Sequence, residues 1–449
     1  MTTNNLYDVV ICGGGFRGAM CAIHLAKSGA KVKLIEASPR LGGVLNSIPW
    51  KHYHLDIGCH LFDNSSKEIT ELFFDIHSDV HPVTVSYQSV MATDKVAFDM
   101  AQPDLTLVSV DPSKTQDTLE TAIHQKPTAQ ATDYHQYLTA RFGSYITQFL
   151  APCVKKKSGA EPDQLCASAS GVILMDRVKL FDDNLTTFLK KTPEFDDRLA
   201  LPSSNNQMIH YPEAASFYNH RNFYPCEEGM GGFCRSLETY LSELGVDITY
   251  QNTVRELQTD QLVLTSGEIV HGNKFIWSNE LFSFEELAYN SITLKTLSHP
   301  VAAVLVYFEV PMCSVSDTTY LQDYRNNTPS FRLSTAGKYG NQNVRGNTYI
   351  CCEIFTHEGS DNWQISESNY SEVWSQAREL GIVDCARPLD VKTIKHPCAY
   401  YLPKIGNVEQ KKKLVDRFKR DHPNWLFFEE PGFSKQSIYL QAKEIAALC

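Results

Sequence analysis

The sequence predicts an α/β fold built on a Rossmann-like parallel sheet, and three adjoining observations predict it. Tyr7 to Cys12 (YDVVIC) is a short apolar run that reads as a buried parallel strand. Ala19 to Ser28 carries Ala22, Leu25 and Ala26 at helical spacing, and Gly29 stops it. Lys31 to Glu36 alternates and reads as a second strand. Strand, helix and strand in about thirty residues are the unit from which parallel sheets are made.

Between the first strand and the helix stands Gly13-Gly14-Gly15-Phe16-Arg17-Gly18, a GxGxxG. Gly13 suits a tight turn, Gly15 lets backbone approach a pyrophosphate, and Gly18 lets helix and strand pack closely. The helix N-terminus then offers free N–H groups and a positive dipole end to phosphates. Glu36 ends the second strand about twenty residues on, where a carboxylate accepts hydrogen bonds from a ribose diol. Arg40-Leu41-Gly42-Gly43 follows directly. A nicotinamide unit has no need of close-approach glycines there, whereas a larger dinucleotide threading past the second strand does. The expected cofactor is therefore non-covalent FAD. The chain has one GxGxxG, so a second dinucleotide site is not expected.

Further elements follow in order. Lys67 to Ile76 reads as a short helix, and Asp104 to Gln130 as loop. Tyr134 to Val154 has apolar residues at helical spacing, and Leu165 to Phe181 reads as another helix. Asp196 to Tyr224 is rich in Pro, Asn, Ser and Tyr and reads as a long loop. Gly231 to Leu244 reads as a helix, then Asp247–Tyr250, Val254–Leu257, Gln261–Thr265 and Lys274–Trp277 as strands. Val301–Val310 and Thr348–Phe355 are strong strands. Tyr370–Leu380, Glu409–Phe418 and Ser437–Leu448 read as helices.

The 449 residues allow two or three domains. The expected division is a discontinuous dinucleotide domain from 1–75, 215–290 and 395–449, with a mixed α+β substrate domain from 76–214 and 291–394. The formal charge of −11 argues against nucleic acid and other long polyanions. The 13 cysteines are scattered without a CxxC pair, as expected of a reduced, cytoplasmic protein. The start, MTTNNLYD, has no signal-peptide character, and no apolar run reaches the roughly 20 residues of a membrane span. No metal site is expected. A homodimer is compatible with the sequence.

These residues resemble the FAD-dependent superfamily of amine oxidases, protoporphyrinogen oxidases and UDP-galactopyranose mutases. The mutase-like proteins of surface-polysaccharide pathways are most similar. The resemblance runs nearly end to end. Leu55-Asp56-Ile57-Gly58-Cys59-His60-Leu61-Phe62 is similar to the family's Asp-x-Gly-x-His-x-Phe beside the flavin. Tyr224-Pro225 with Gly229-Met230-Gly231-Gly232-Phe233 resembles its Pro-x-x-Gly-Gly helix start. Asn252-Thr253-Val254 and Lys274 to Asn279 resemble the strands at the adenine and under the flavin. Phe331-Arg332 resembles the position of the mutases' arginine for the substrate diphosphate. One departure is Pro431-Gly432, where the family has Gly-Arg or Gly-Asp. Proline has no N–H for a phosphate, and no replacement charge is evident there.

The resemblance implies cofactor contacts from Gly13, Gly14, Gly15, Phe16, Gly18, Glu36, Ala37, Arg40, Gly42, Gly43, Gly58, His60, Val254, Ser278 and Gly432. It implies catalytic roles for His60, Arg332 and Tyr224. Tyr211, Tyr218 and Arg221 could stack on or bind a substrate, with loop anchoring the blander reading. Lys155-Lys156-Lys157 reads as a solvated helix end. The implied activity is FAD-dependent oxidation of a small anionic substrate, a nucleotide-activated sugar of surface-glycan synthesis, bound between the two domains. Flavin-assisted sugar isomerisation and amine or porphyrinogen oxidation are the alternatives. A non-catalytic flavin fold is a further one.

Overall fold

The computed structural model describes residues 6–64, 66–91, 96–108, 111, 114, 120, 130–202, 220–226, 228–429, 432 and 434–449. Tyr211, Tyr218 and Pro431 lie outside the described residues. The chain forms two compact units. One comprises Met1–Pro82, Arg221–Leu297 and Asn407–Cys449, the other Val83–His220 and Ser298–Gly406.

The first unit carries the α/β sheet. Strand β1 (Leu6–Cys12) leads through a glycine turn into helix α1 (Phe16–Lys27), and strand β2 (Val32–Ile35) follows. All of β2 is buried, as expected when helices cover both faces of a parallel sheet. β1 pairs parallel to β2 on one side, with Cys12 opposite Ile35. On its other side it pairs parallel to the return strand Ile269–Trp277, with Cys12 opposite Trp277. Asp247–Thr249 extends the sheet beyond β2, and Trp425–Phe427 pairs parallel with the return strand. Gln261–Leu264 and Val254–Leu257 add an antiparallel edge. The carboxyl ends of β1, β2 and the return strand therefore lie side by side, where ligands of open α/β sheets bind.

Other elements of this unit support that edge. A hairpin pairs strand β3 (Ser47–Trp50) with strand β4 (Tyr53–Asp56), Ser47 opposite Asp56. The Gly229 helix (Gly229–Glu243) turns Leu237 and Leu241 inward. The C-terminal helix (Lys435–Ala446) opens with a capping box between Ser434 and Ser437. Phe16, Phe62, Phe73, Phe223 and Phe233 form an aromatic cluster. Burying each such side chain contributes about 1.5–3 kcal/mol.

The second unit is built on a sheet in the order Asp390–Pro403, Ser298–Pro311, Asn347–Thr356, Arg332–Ser334, Tyr320–Asp323, Tyr87–Val90, Val96–Phe98. Val304, Val306, Phe308, Ile350 and Ile354 pack on Val373, Trp374 and Ala377 of the helix Ser371–Glu379. A second core gathers around the helix Tyr134–Ser158, through Leu138, Phe142, Ile146 and Leu150.

Two local readings are corrected, and one strand went unread. Leu165–Phe181 is not one helix. A single turn at Ser170–Ile173 ends at Leu174, whose φ of 54° is left-handed. The chain then bridges Val178 to Leu199 and Lys179 to Asp104. The long strand Asp390–Pro403 had no clear signal, because it is an edge strand of intermediate burial interrupted by Pro397. Lys155-Lys156-Lys157 is not wholly solvated. Lys156 Nζ donates to the Arg325 carbonyl and to Thr328 Oγ1, and Lys157 Nζ donates to the Ile173 carbonyl.

Candidate dinucleotide site

The site begins where β1 ends. Gly13 turns the chain with φ of 106°, and its N–H donates to the Ile35 carbonyl at 2.8 Å. A Cβ on Gly13 would stand 2.5 Å from Asn279 Oδ1 and 2.7 Å from Ser278 Oγ, so any larger residue would push those side chains aside and strain a left-handed backbone. A Cβ on Gly18 would overlap the Gly13 carbonyl oxygen, the close helix–strand approach that the spacing predicts. Gly15 differs: a Cβ there meets nothing within 4 Å. Its backbone caps α1 from an extended conformation and faces open space. Phe16, by contrast, sends its ring into the aromatic cluster, leaving only its backbone for a ligand.

Glu36 is buried at the end of β2. Its Oε2 accepts from the Gly14 N–H and its Oε1 from the Ser38 N–H, both at 2.7 Å. The Glu36 carbonyl accepts from the Asn252 N–H at 3.0 Å, which brings the stretch leading to Val254 beside the same corner. Ala37 and Arg40 are exposed next to it. Gly42 and Gly43 have φ of 101° and 57°, and the Gly42 N–H donates to the Gly14 carbonyl at 2.9 Å. The two glycine segments are thus hydrogen-bonded together. Ser278 Oγ donates to the Gly13 carbonyl at 2.7 Å, so its hydroxyl braces the loop.

The electrostatics suit an anion. Burial, then Arg235 and Arg40, hold the His54 imidazole below its ordinary pKa. Burial and Arg40 likewise depress Arg235, which also pairs with Glu228. Arg40 and Arg235 thus lie close together, with Glu228 and Glu238 offsetting part of the Arg235 charge.

Beyond lies the segment Asp56 to Phe62. Gly58 turns with φ of 89°. His60 is half-buried, and its Nε2 lies 2.9 Å from the Ile57 carbonyl. Tyr224 is fully buried and its hydroxyl donates to Asp56 Oδ2. Gly432 lies next to α1, since a Cβ there would be 3.2 Å from an Arg17 nitrogen. Arg17 itself stacks on Phe428. Lys435 opens the C-terminal helix and donates to the Leu61 carbonyl at 2.8 Å. Burial lowers its pKa, while Asp63, Cys59 and Asp56 oppose the shift. Two basic side chains, Arg17 and Lys435, therefore attend this corner. Neither Arg17 nor Lys435 was singled out from sequence, because each owes its place to segments hundreds of positions away.

Arg332 belongs to the second unit. Its Nε donates to Glu353 Oε1 at 2.6 Å and its Nη2 to Oε2 at 2.5 Å. Glu353 is 2% exposed and lies directly across the strand pair. This bidentate geometry occupies the guanidinium fork with an internal carboxylate. Among the described residues, no group of three or more His, Cys, Asp or Glu side chains could hold a metal. No helix among them is long and apolar enough to cross a membrane.

Fold and loop together define the class: a Rossmann-like dinucleotide unit completed by three separate chain segments. Residues 11–76 match the family of NAD(P)-binding Rossmann-like domains. A stretch of 69 residues is 36% identical to the "Probable flavin-containing monoamine oxidase A" of Dictyostelium discoideum, covering 15% of each chain. The match thus spans only a small part of that curated relative. Reduced UDP-galactopyranose mutase has a similar structure, at a TM-score of 0.75 and 14% identity, covering 98% of this chain and 93% of that one. A chain from Exiguobacterium sp. 255-15 designated a protoporphyrinogen oxidase gives a TM-score of 0.69 and 13% identity, covering 99% and 98%. More narrowly, then, the fold is the one seen in reduced UDP-galactopyranose mutase and in the Exiguobacterium chain.

Proposed function

We propose that this protein is an FAD-dependent oxidoreductase acting on a small anionic substrate, a nucleotide-activated sugar of surface-glycan synthesis. The observation that carries the cofactor is the cradle at Gly15. Its open Cβ position, the α1 N-terminus and the buried Glu36 fit pyrophosphate and ribose. Gly42 and Gly43 widen the path for the longer dinucleotide, with Arg40 and Arg235 supplying positive charge nearby.

When bound, FAD supplies an acceptor for a substrate hydride. The chain's own residues hold the dinucleotide: Glu36 the ribose, Gly14 to Phe16 backbone the phosphates, and the Gly58–Leu61 turn with Lys435 the far end. The similarity of fold to UDP-galactopyranose mutase supports the sugar nucleotide and leaves isomerisation as the variant of the same reading. The N-terminal match to a flavin-containing monoamine oxidase supports amine oxidation as the second reading. Arg332 serves the first reading only if an anion competes with Glu353 for its fork.

The test has two stages. Purified protein should show a flavin absorbance spectrum, or gain it on reconstitution with FAD. Anaerobic mixing with nucleotide sugars and with primary amines should then bleach the spectrum with one class only. A colourless protein that takes up no FAD ends the reading. Bleaching by amines alone moves the protein to the second.

A further inference from the structure

The Gly229 helix has no N-cap of its own. Glu228 precedes it at φ of 58°, with no side-chain capping bond. The first-turn donors are instead taken by another segment. The Met230 N–H donates to Asp56 Oδ1 at 3.1 Å, and the Gly231 N–H donates to Ser47 Oγ at 2.7 Å. Ser47 Oγ donates in turn to Asp56 Oδ1 at 2.6 Å, and the Tyr224 hydroxyl donates to Oδ2. Asp56 is 1% exposed. A Cβ on Gly229 would stand 2.8 Å from both Asp56 Oδ1 and Tyr224 Oη, so glycine there admits the foreign cap.

The same helix holds the second glycine turn. Glu238 Oε1 accepts from the Leu41 N–H at 2.7 Å. Cys234 packs so tightly on Gly42 that a Cβ there would overlap its sulfur. Gly42 then donates to the Gly14 carbonyl. A continuous path of contacts runs from Asp56 through the helix to the phosphate cradle.

We infer that Asp56 is a positioning residue for the dinucleotide: by capping the Gly229 helix from the β3–β4 hairpin, it sets the Leu41–Gly42 turn that braces Gly14 and Gly15. This rests on the FAD reading. Its three donors require the carboxylate, since a protonated carboxyl must itself donate from one oxygen. Burial raises the Asp56 pKa to about 6, against the bonds from Ser47, Tyr224 and Met230 and the charge of Lys435. Tyr224, Cys234 and Lys435 are the titratable groups that face it. Burial pushes the Cys234 thiol up to about 12, so it keeps its proton across this range, whereas burial lowers the pKa of Lys435, which donates to the Leu61 carbonyl. Protonation of Asp56 as pH falls through about 6 should therefore slacken the cap and weaken FAD binding.

The test is FAD titration of the deflavinated full-length protein by fluorescence from pH 8 to 5. Wild type should weaken about tenfold, the limit for one proton per pH unit. Asp56→Asn should bind at one affinity across the range, near the wild-type value at pH 5. Tyr224→Phe removes one donor to the carboxylate and should move the midpoint to higher pH, a check that survives if Asp56→Asn fails to fold. A flat wild-type profile, or an Asp56→Asn profile like that of wild type, overturns the inference while leaving FAD binding intact. A wild type that binds no FAD at any pH overturns the cofactor reading and this inference with it.

Discussion

Two glycines of the same loop should respond in opposite ways, and the contrast tests how the cradle works. In Gly15→Val the new Cβ meets nothing within 4 Å, and φ of −61° is ordinary for any residue. The folding cost is that of a poor N-cap, about 1 kcal/mol. The side chain must nevertheless occupy the space a pyrophosphate would need. Loss of two charge-assisted hydrogen bonds at about 1.5–3 kcal/mol each would weaken FAD binding by two to four orders of magnitude. In Gly18→Ala the Cβ overlaps the Gly13 carbonyl oxygen and stands 2.9 Å from Ser278 Oγ, with backbone on one side. Helix and strand must separate, an overpacking cost of about 1–3 kcal/mol or more. Urea unfolding of the apoprotein, paired with FAD titration, separates the two effects. Gly15→Val should unfold near the wild-type midpoint yet take up no FAD at micromolar concentrations. Gly18→Ala should unfold earlier. Wild-type FAD affinity in Gly15→Val would refute the loop as the phosphate site. An apoprotein crippled by Gly15→Val would refute the claim that its Cβ faces open space.

Glu36→Ala removes the acceptor for two backbone N–H groups. FAD affinity should fall by about 1.5–3 kcal/mol, and an unchanged dissociation constant would show that Glu36 does not hold the ribose. Arg332→Ala strands Glu353 without its bidentate partner in the sheet. Unfolding free energy should fall by about 3–5 kcal/mol, and Arg332→Met with Glu353→Leu should recover much of it. Equal stability of the single and double variants would refute a buried pair. Burial pushes the Lys157 pKa down to about 7. The unfolded state therefore binds the extra proton between about pH 7 and the ordinary lysine range, and the lysine's contribution to stability rises with pH there. The stability difference between Lys157→Met and wild type should change across that window and stay level below pH 6, as chemical denaturation at several pH values would show.

What the sequence determined by itself is local. Tyr7 to Glu36 announced strand, loop, helix and strand because apolar period and the positive φ of Gly13 are properties of neighbouring residues. The second glycine pair was legible for the same reason, and so was the α/β class. The strands Ser298–Pro311 and Asn347–Thr356 were visible because continuous β-branched and aromatic runs have few other fates. The tertiary structure alone decided which polar groups meet. Asp56 was legible as part of a motif, but not as the cap of a helix whose first residue lies far along the chain. Arg332 resembled a substrate clamp in sequence, and strand register placed it against Glu353. Lys156 and Lys157 looked like a solvated charge run until carbonyls from distant turns accepted their hydrogen bonds. Hydrophobic period and glycine conformation are read within a few residues, whereas a hydrogen bond or ion pair needs two partners, and only chain folding sets the distance between them.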